Sequence, residues 1–542
     1  MFRYLCSSLS IFLHREHRKL IGARYFFKGF EAAVGTLSSD LRNPRDITGH
    51  GTHTLSTAGG SPVPGANVRG FGNGTAKGGS PRARVAAYKA CWTLKNDDGC
   101  FDADILAAFD AAIHDGVDVL SVSLGGDQNS YFETGIGIGA FHAITKGISV
   151  VASAGNSGPK AGTLENVAPW LLTVGASTID RQFPAFVIFG EHKLQGESLS
   201  NASLPRNKML PLIRSRDAAA ANASDEDANL CTMGSLDATK VKGKIVVCIR
   251  GKNPRIEKGE VVKLVGGKGM VLVNDLSSSD EIISDPNVLP ATHISYSDGL
   301  KLFSYLDSTK SPEGFISYPY TMLGTKPAPS VASFSSRGPN TITPEILKPD
   351  IIGPGVNIIA AYTKAISPTG IEFEEQRLPF NIESGTSMSC PHIAGIVSLL
   401  KALHPEWSPS AIKSAIMTTA SLLDNMAEPI KNSFMVNASP FSYGSGHVWP
   451  SRAMDPGLVY DLDTMDYLNF LCSLGYKSSQ ISTFKPYKCP SNLTSLMDLN
   501  YPSITVPNLT ETVIVVRRLK NVGTLGTYVA HVQNPVGVIV TD

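Results

Sequence analysis

The stretch GTSMSCPH, residues 385–392, is the feature of the sequence that decides the fold. It sets Ser387 in a sharp Gly-Thr turn, directly before an apolar run from Ile393 to Leu400 whose spacing predicts a buried helix. A serine held at the start of such a helix can act as a nucleophile if a neighbouring base takes its proton. The stretch therefore predicts a serine-based active site.

Two upstream motifs supply the other groups that such a site needs. The motif GHGTHT, residues 49–54, places His50 just before a run of small residues with helical spacing. The motif SAGNSGP, residues 153–159, places Asn156 at the end of an apolar strand. Histidine titrates near neutrality and suits the role of base, while an amide N–H can stabilise the negative charge that develops in acyl transfer. The sequence thus predicts His50 as the base and Asn156 as the oxyanion donor.

Strand-like and helix-like patterns alternate from Arg84 to about residue 174. Strands are predicted at Val85–Tyr88, Val117–Ser123, Ile148–Ala152 and Leu171–Val174, and helices at Asp104–His114 and Thr134–Thr145. Strict alternation of this kind indicates a parallel sheet with helices on both faces, whose sites lie at the carboxyl ends of the strands. The segment Ser121–Gly126 and Asn156 both stand at such strand ends.

The alternation of strand-like and helix-like patterns is interrupted twice further along the chain. Residues 200 to 320 begin with an alanine-rich, acidic segment predicted as a linker, and they continue with isolated strands (Asp217–Asp227; Lys244–Cys248, Met270–Asn274 and His293–Ser295). After Leu462 the composition shifts again, and the runs Tyr501–Ile504 and Val513–Val516 predict a β-rich end. At 542 residues the chain is longer than a single hydrophobic core can accommodate, so two or three domains are expected.

These motifs, in the order His50, Asn156, Ser387, resemble those of plant-type subtilisin-like (cucumisin-like) serine proteases of the peptidase S8 family, as do SFSSRGP at 333–339 and KPDIIGPG at 348–355. The resemblance covers nearly the whole chain from Lys19. It implies an α/β fold with a subtilisin-like parallel sheet, an inserted β-rich protease-associated domain and a partial C-terminal fibronectin type III-like β-sandwich. The expected division is an atypical N-terminus (1–18), a first catalytic segment (19–200), the insert (201–325), a second catalytic segment (326–476) and a fibronectin-like segment (498–542).

The same resemblance implies a serine endopeptidase that acts through an acyl-enzyme. It assigns substrate binding to an edge strand that pairs with the peptide backbone (Ser121, Val122, Ser123, Leu124, Gly125 and Gly126), although this pattern is also typical of a plain sheet strand with a glycine turn. We expect His53 and His392 to have packing roles rather than catalytic or ligand roles. We expect neither a metal nor a cofactor. The expected partners are polypeptide substrates, and a homo-oligomer formed through the insert is also considered.

The catalytic aspartate is missing from the expected place. The family carries it in an Asp-Thr-Gly or Asp-Ser-Gly turn after an apolar strand upstream of the base, and residues 1–49 contain no such turn. Asp40 and Asp46 are the nearby carboxylates, but neither follows an apolar strand, so neither is assigned. Met1–Leu13 has no small-residue cleavage site and is not identified as a signal peptide. We therefore expect a chain truncated at both ends, as a fragment or through a misassembled gene model, with impaired catalysis.

Two other functions are weighed against the peptidase. An α/β-hydrolase esterase needs Gly-x-Ser-x-Gly and the order serine, acid, histidine, whereas Ser389 stands at the final glycine position and His50 comes first. A non-catalytic interaction protein that uses the insert and the β-rich end stays open, because no aspartate is found. Reaction of Ser387 with a fluorophosphonate separates this alternative from the peptidase.

Cysteines and sequons favour a secretory route. Spacing alone leaves scattered thiols as an alternative to disulfides, but Asn-x-Ser/Thr sequons shift the balance (Asn73, Asn201, Asn222, Asn437, Asn492 and Asn508). Three disulfides are predicted, with Cys390 left as a buried thiol (Cys91 with Cys100, Cys231 with Cys248, Cys472 with Cys489). The resemblance implies an extracellular location in the cell wall or apoplast. With a net charge of +1 and no long basic run, the sequence shows no basic patch of the kind that binds nucleic acid or an anionic membrane.

Overall fold

The computed structural model describes residues 19–94, 97–126, 128–205, 208–482 and 484–541. The predicted atypical N-terminus, residues 1–18, lies outside the described residues, as does Cys6. Within the described ranges, no helix is both long and apolar enough to cross a membrane.

Strands and helices alternate through most of the described chain. The strands are β1 (Leu20–Tyr25), β2 (Val63–Val68), β3 (Phe71–Ala76), β4 (Val85–Lys89), β5 (Cys91–Leu94), β6 (Asp97–Cys100), β7 (Val119–Val122), β8 (Ser149–Ser153), β9 (Leu172–Ser177), β10 (Arg181–Gln182), β11 (Pro184–Phe189), β12 (His192–Glu197), β13 (Leu210–Arg214), β14 (Ile245–Ile249), β15 (Gly269–Val273), β16 (Ala291–Ile294), β17 (Glu313–Ile316), β18 (Met322–Leu323), β19 (Ile351–Pro354), β20 (Ile358–Ala361), β21 (Phe380–Glu383), β22 (Leu458–Val459) and β23 (Lys520–Asn521). The α-helices are α1 (Lys28–Ala33), α2 (His50–Gly59), α3 (Asp102–Asp115), α4 (Gly135–Ile144), α5 (Asp225–Asn229), α6 (Ala238–Val241), α7 (Arg255–Leu264), α8 (Tyr296–Ser308), α9 (Thr386–Leu403), α10 (Pro409–Thr418), α11 (Pro440–Tyr443), α12 (Pro450–Ala453), α13 (Thr464–Ser473) and α14 (Ser478–Ile481). Short 3₁₀ turns lie at Arg216–Ala218 and Leu496–Asp498.

A four-stranded parallel sheet carries the candidate site, with the order β19-β9-β8-β7. Successive residues of β8 point to opposite faces, so Val151 packs in the cluster that contains Ile393 of α9, whereas Val150 packs with Phe109 of α3 and Phe141 of α4. Helices therefore cover both faces. This confirms the α/β sheet that the alternating sequence pattern predicts.

The strands β4 and β7 each have one edge without a partner strand in the described chain. β4 pairs only with β1, in a separate parallel two-stranded piece, and β7 pairs only with β8. The two pieces are tied together through α3, because Arg24 and the hydroxyl of Tyr88 both bond the carboxylate of Asp115. Side-chain bonds, rather than a continuous ladder, thus connect β4 to the main sheet.

The chain between β11 and β17 closes a seven-stranded barrel in the order β11-β12-β16-β15-β14-β13-β17. The predicted strands of this region are present as β14, β15 and β16. The predicted linker Asp217–Asp227 is wrong, because it contains a 3₁₀ turn and the start of α5. Ser224 caps α5 by accepting from the N–H of Asp227, and Ala218 and Ala228 are fully buried. The buried side chains of Ala218 and Ala228 pack the 3₁₀ turn and α5 against the barrel.

The predicted strands Tyr501–Ile504 and Val513–Val516 are not formed, which corrects the expectation of a β-rich end as far as the described residues go. From residue 498 onward only β23 enters a ladder, a two-residue pairing with β22. Ile514 keeps 83% of its surface exposed, so the apolar pattern that predicts a strand finds no sheet to pack on here. Tyr501 anchors the segment instead, through a hydrogen bond from its buried hydroxyl to Asp350.

Three disulfides connect the same cysteines that the sequence predicts to pair (Cys91–Cys100, Cys231–Cys248 and Cys472–Cys489). Cys390 is a buried free thiol on α9, and its sulfur lies 3.3 Å from the carbonyl oxygen of Val151. Burial raises the pKa of this thiol to about 11, so it is protonated at neutral pH.

Candidate active site

Ser387 lies in the first turn of α9, at the carboxyl end of the parallel sheet. The helix begins at Thr386, and the N–H of Gly385 donates to the carbonyl of Gly355, just beyond β19, at 2.8 Å. The carbonyl of Ser387 accepts from the hydroxyl of Ser123, just beyond β7, at 2.8 Å. The side chain is half-buried. The turn therefore fixes the serine at the strand ends while leaving it accessible.

His50 is the first residue of α2, which packs against α9. Its N-cap, Gly49, has φ 99°, and any side chain there would collide with the ring of Tyr362. The contacts between the helices follow the same order in both. Positive charge on His392 would disfavour protonation of His53, and further along Gly395 packs against the carbonyl of Ala58. The two helices thus run in the same direction, and the helix starts that carry His50 and Ser387 lie at the same end.

The amide of Asn156 is oriented by the start of α9. Its Oδ1 accepts from the N–H of Thr386 at 2.9 Å and from the Thr386 hydroxyl at 3.0 Å. Because the oxygen is held by these donors, the Nδ2 group is directed away from them, and in the described chain it has no hydrogen-bond partner. The residue is exposed at the end of β8. An N–H donor is therefore available beside Ser387, as an oxyanion site requires.

Asp46 is fully occupied by the start of α2. Its Oδ1 accepts from the N–H groups of Thr48 and Gly49, and its Oδ2 accepts from the N–H and hydroxyl of Thr52 at 2.7 and 2.6 Å. Burial acts to raise the pKa of Asp46, but these hydrogen bonds outweigh it, and the pKa is lowered. Asp40 is exposed. Asp46 is thus a helix-capping carboxylate, in keeping with its not being assigned as the acid.

The imidazole of His50 has no hydrogen-bond partner among the described residues. Burial lowers its pKa, against a smaller opposing effect of the negative charge on Asp46. The ring is therefore neutral near pH 7, which is the form that a general base needs. What the described residues do not supply is a carboxylate bonded to the ring.

The segment Ser121–Gly126 only partly forms a strand. Ser121 and Val122 close the edge strand β7, and the four residues after them continue beyond it. The carbonyl of Leu124 accepts from the side chains of Ser153 and Asn166, which ties the segment to β8. The outer edge of β7 faces no partner strand in the described chain.

Comparison with known proteins identifies the family. The profile of the Subtilase family matches residues 33–446. The chain belongs to the subtilases. A profile described as Fibronectin type-III domain matches residues 498–541. Members of the subtilase family are serine endopeptidases.

Similar plant proteins extend the match over most of the chain. Subtilisin-like protease SBT5.4 of Arabidopsis thaliana is 59% identical over 530 residues, which cover 97% of this chain and 68% of that protein. Subtilisin-like protease SBT5.3 of the same species is 57% identical over 528 residues, with the same coverage of both chains. Subtilisin-like protease Glyma18g48580 of Glycine max is 50% identical over 542 residues, covering 96% of this chain and 68% of that protein.

Glu383 lies beside this subtilase site and belongs to none of the motifs that predict it. It ends β21, four residues before Ser387, and its Oε2 lies 3.9 Å from Nδ1 of His53. Burial, and then the negative charge on Asp46, raise its pKa to about 7. A carboxylate that closes an apolar strand just before the GTSM turn is the signal that could have identified it.

His53 and His392 occupy packing positions beside the site. Nε2 of His53 lies 3.0 Å from the carbonyl of Ile358, and Nδ1 of His392 lies 2.8 Å from the carbonyl of Met388. Among the residues that the structure describes, no group of three or more His, Cys, Asp or Glu side chains could hold a metal ion.

Proposed function

We propose that this subtilase hydrolyses peptide bonds through an acyl-enzyme at Ser387. The Ser387 hydroxyl attacks the carbonyl carbon while His50 takes its proton, and His50 then returns that proton to the leaving amine. Water hydrolyses the ester in a second, equivalent step. The observation that carries the proposal is the common end of α2 and α9, where the Asn156 amide is already oriented by Thr386. In this proposal the segment Ser121–Gly126, which contains the end of β7 and the four residues after it, pairs with the substrate backbone.

The rate of this reaction is proposed to be low in the chain as described. Among the described residues, no carboxylate is bonded to the His50 ring to hold its tautomer and stabilise the imidazolium, and Asp46 caps α2 instead. In subtilisin, loss of the aspartate alone lowers kcat about 3 × 10⁴-fold. The unpaired edges of β4 and β7 in the described chain support the same proposal, since the resemblance implies an aspartate-bearing strand in this sheet.

Labelling with a fluorophosphonate tests the proposal without requiring fast turnover. The full chain is incubated with the reagent, and the labelled residue is identified by peptide mass spectrometry. We expect label on Ser387, no label in Ser387→Ala, and about 100-fold slower labelling in Asn156→Ala, because the phosphoryl oxygen also needs a donor. Label on another serine, or equal rates in Asn156→Ala, would reject the assigned roles.

A non-catalytic interaction protein is the second candidate, and the unpartnered imidazole of His50 in the described chain favours it. Under this function Ser387 would not react at all, whereas the impaired enzyme would react slowly. The same labelling experiment, followed over hours with a heat-denatured control, decides between them. In that case the barrel and the exposed C-terminal segment are the surfaces proposed to bind partners.

Further proposals concern the modules and the location of the protein. We propose that residues 201–325, whose barrel is completed by β11 and β12 from just before residue 201, form a protease-associated domain inserted between the catalytic segments 19–200 and 326–476. We also propose that residues 498–542 contribute to the fibronectin-like domain and that the insert mediates homo-oligomers. The disulfides and the exposed asparagines of the sequons support a secreted, extracellular glycoprotein whose partners are polypeptides. Expression in a secretory plant host, with glycopeptide mapping and light scattering, tests these points.

A further inference from the structure

One loop of the barrel lies against residues that support the candidate catalytic groups. We name it the Glu281 loop, residues 274–290, which connect β15 to β16. Nδ2 of the buried Asn274 donates to the carbonyls of Ser279 and Glu281 at 2.9 and 2.6 Å. The same side chain is oriented by the buried His293, whose Nε2 lies 2.7 Å from its Oδ1. The barrel therefore fixes the position of the Glu281 loop.

The side chain of Glu281 connects this loop to residues outside the barrel. Its Oε1 accepts from the N–H of Ser333, between β18 and β19, at 2.7 Å, and both residues are buried. Its second oxygen, Oε2, is also buried and has no hydrogen-bond partner in the described chain. A buried carboxyl group that leaves one oxygen unbonded contributes less to stability than a fully bonded one. The group therefore suits a positioning role better than a purely stabilising one.

The residues that follow Ser333 hold the backbone on both sides of Asn156. The N–H of Ser336 donates to the carbonyl of Gly155 at 3.0 Å. The hydroxyl of Ser336 accepts from the N–H of Ser157, also at 3.0 Å. Because Asn156 lies between these two bonded residues, its backbone position depends on the position of Ser336.

Close packing adds to these hydrogen bonds. The carbonyl of Phe334 accepts from the N–H of Gly158 at 2.9 Å. A Cβ atom at Gly158 would collide with the carbonyl oxygens of Ser333 and Ser335, so only glycine allows the two segments to approach this closely. A shift of Ser333 is therefore transmitted directly to the residues beside Asn156.

The Glu281 loop also reaches the turn that carries Ser387. The N–H of Ser284 donates to Oδ1 of Asn357 at 3.3 Å, and the N–H of Asn357 donates to the hydroxyl of Ser384 at 2.9 Å. Ser384 lies three residues before Ser387. One loop of the barrel thus supports both the candidate oxyanion donor and the nucleophile.

We propose that Glu281 is a positioning residue, which holds the Asn156 amide where the oxyanion forms by fixing residues 333–336. The inference rests on the hydrolytic function proposed above and gives the barrel a role in that reaction. Loss of the acceptor at Glu281 allows Ser333 to shift, and with it the segment that holds Asn156. A displacement of about 1 Å in a catalytic group can lower a rate by about 100-fold, so even a small shift is measurable.

A double-mutant cycle on the rate of fluorophosphonate labelling at Ser387 tests the path through Asn156. Glu281→Leu removes the acceptor, and we expect it to slow labelling of the full chain about tenfold. In an Asn156→Ala background, where the donor is already lost, the same substitution should have almost no further effect. Equal slowing in both backgrounds would show that Glu281 acts independently of Asn156, and it would overturn the proposal.

A conservative variant and a matched control separate positioning from stability. Glu281→Gln keeps an oxygen acceptor for Ser333 and should recover most of the labelling rate. Thr292→Val removes a different buried hydrogen bond of the barrel, from the Thr292 hydroxyl to the carbonyl of Ala185. We expect this control to lower stability without slowing the labelling of folded protein, with the folded fraction measured by urea unfolding. Glu281→Met is a second variant without the acceptor, and if neither it nor Glu281→Leu folds, Glu281 is a structural residue and the proposal is rejected.

Hydrogen exchange tests the contact without any reaction at Ser387. We expect Glu281→Leu to speed exchange of the N–H groups of Ser157 and Gly158 and to leave exchange in β14 unchanged. Faster exchange at these groups in a protein whose Ser387 is never labelled would support the contact and reject hydrolysis. Labelling of the wild type with unchanged exchange in Glu281→Leu would overturn the positioning role alone. Absence of both labelling and faster exchange would overturn both.

Discussion

Oε2 of Glu383 lies 3.9 Å from Nδ1 of His53, a buried nitrogen that has no hydrogen-bond partner in the described chain. The other ring nitrogen of His53 is 3.0 Å from the carbonyl of Ile358, and since a carbonyl only accepts, that nitrogen carries the proton. Nδ1 of the neutral ring is therefore an acceptor that faces a carboxyl group. Burial lowers the pKa of His53 to about 4, while burial and Asp46 raise the pKa of Glu383 to about 7. Near neutrality the His53 ring is therefore neutral, and the carboxyl of Glu383 is the group of this pair that titrates.

The raised pKa of Glu383 predicts a stability that falls with increasing pH. A carboxyl of ordinary pKa 4.5 that titrates near 7 in the fold binds more protons in the native state between these values. Its contribution is complete below about pH 4.5 and is lost as pH rises through 7, by at most about 3 kcal/mol. We expect Glu383→Gln, which keeps the size and polarity of the side chain but cannot ionise, to flatten this decline.

Urea unfolding at pH 5, 6, 7 and 8 measures the effect as the difference between Glu383→Gln and wild type. The difference isolates Glu383, because His53, Asp46, His50, His392 and Tyr362 around it are retained in both proteins. His53 itself works in the opposite direction, since its lowered pKa removes stability as pH falls below about 6.5. Parallel pH profiles for the two proteins would contradict the assignment of a raised pKa to Glu383.

Asp46 is predicted to contribute to stability rather than to act as the catalytic acid. It caps α2 through Thr48, Gly49 and Thr52, and loss of a capping side chain costs about 1–2 kcal/mol. We expect Asp46→Ala to lower the free energy of unfolding by this amount, and Asp46→Asn, which retains one acceptor oxygen, to lower it less. Asp40→Asn is the exposed control.

The matching measurement for Asp46 is the rate of fluorophosphonate labelling at Ser387. In a capping role, Asp46→Asn should change this rate only in proportion to the unfolded fraction. A loss of several orders of magnitude in a fully folded Asp46→Asn protein would instead make Asp46 the catalytic acid.

Some features of the fold follow from local patterns, and others depend on contacts that no local pattern records. The strands β4, β7, β8 and β9 and the helices α3 and α4 are predictable because apolar spacing reports which face is buried. The hairpin of β5 and β6 is not predicted. The N-cap at Ser408 is predictable for the same local reason, and its hydroxyl accepts from Ala411 N–H. The strand expected at Val513–Val516 fails because a strand forms only against a partner, and pairing is a non-local property.

The site shows the same division. Ser387, His50 and Asn156 stand in motifs that a sequence displays directly, and their helix starts and strand ends position them. Glu383 cannot be recognised from a local motif because its significance comes from a neighbour far along the chain. His53 lies 330 positions before Glu383, so only the folded chain brings the two groups together.

The Cys231–Cys248 disulfide is predicted to stabilise the barrel. It joins the segment after α5 to β14 across a separation of 17 residues, and both cysteines are fully buried. Closing a loop of this length lowers the entropy of the unfolded chain and contributes roughly 3 kcal/mol. We expect the double variant Cys231→Ala, Cys248→Ala to lose about that much stability in urea unfolding. An unchanged midpoint, or free thiols at these positions in wild-type secreted protein, would refute the prediction.

Restoring a strand between β4 and β7 is predicted to improve solubility first and reactivity second. Both strands present an unpaired edge in the described chain, and unpaired edges with apolar neighbours promote association between molecules. A segment with an apolar strand that ends in Asp-Thr-Gly, placed ahead of Lys19, would pair both edges and bring a carboxylate to the imidazole of His50. We expect monomeric yield from a secretory host to rise, and the rate of fluorophosphonate labelling to increase by about 10³–10⁴-fold.

The control carries Asn-Thr-Gly instead, which repairs the sheet without supplying the charge, and it should recover the yield but not the rate. Equal labelling rates with and without the aspartate would show that a carboxylate already present serves His50, and Asp46 and Glu383 would be the two to test.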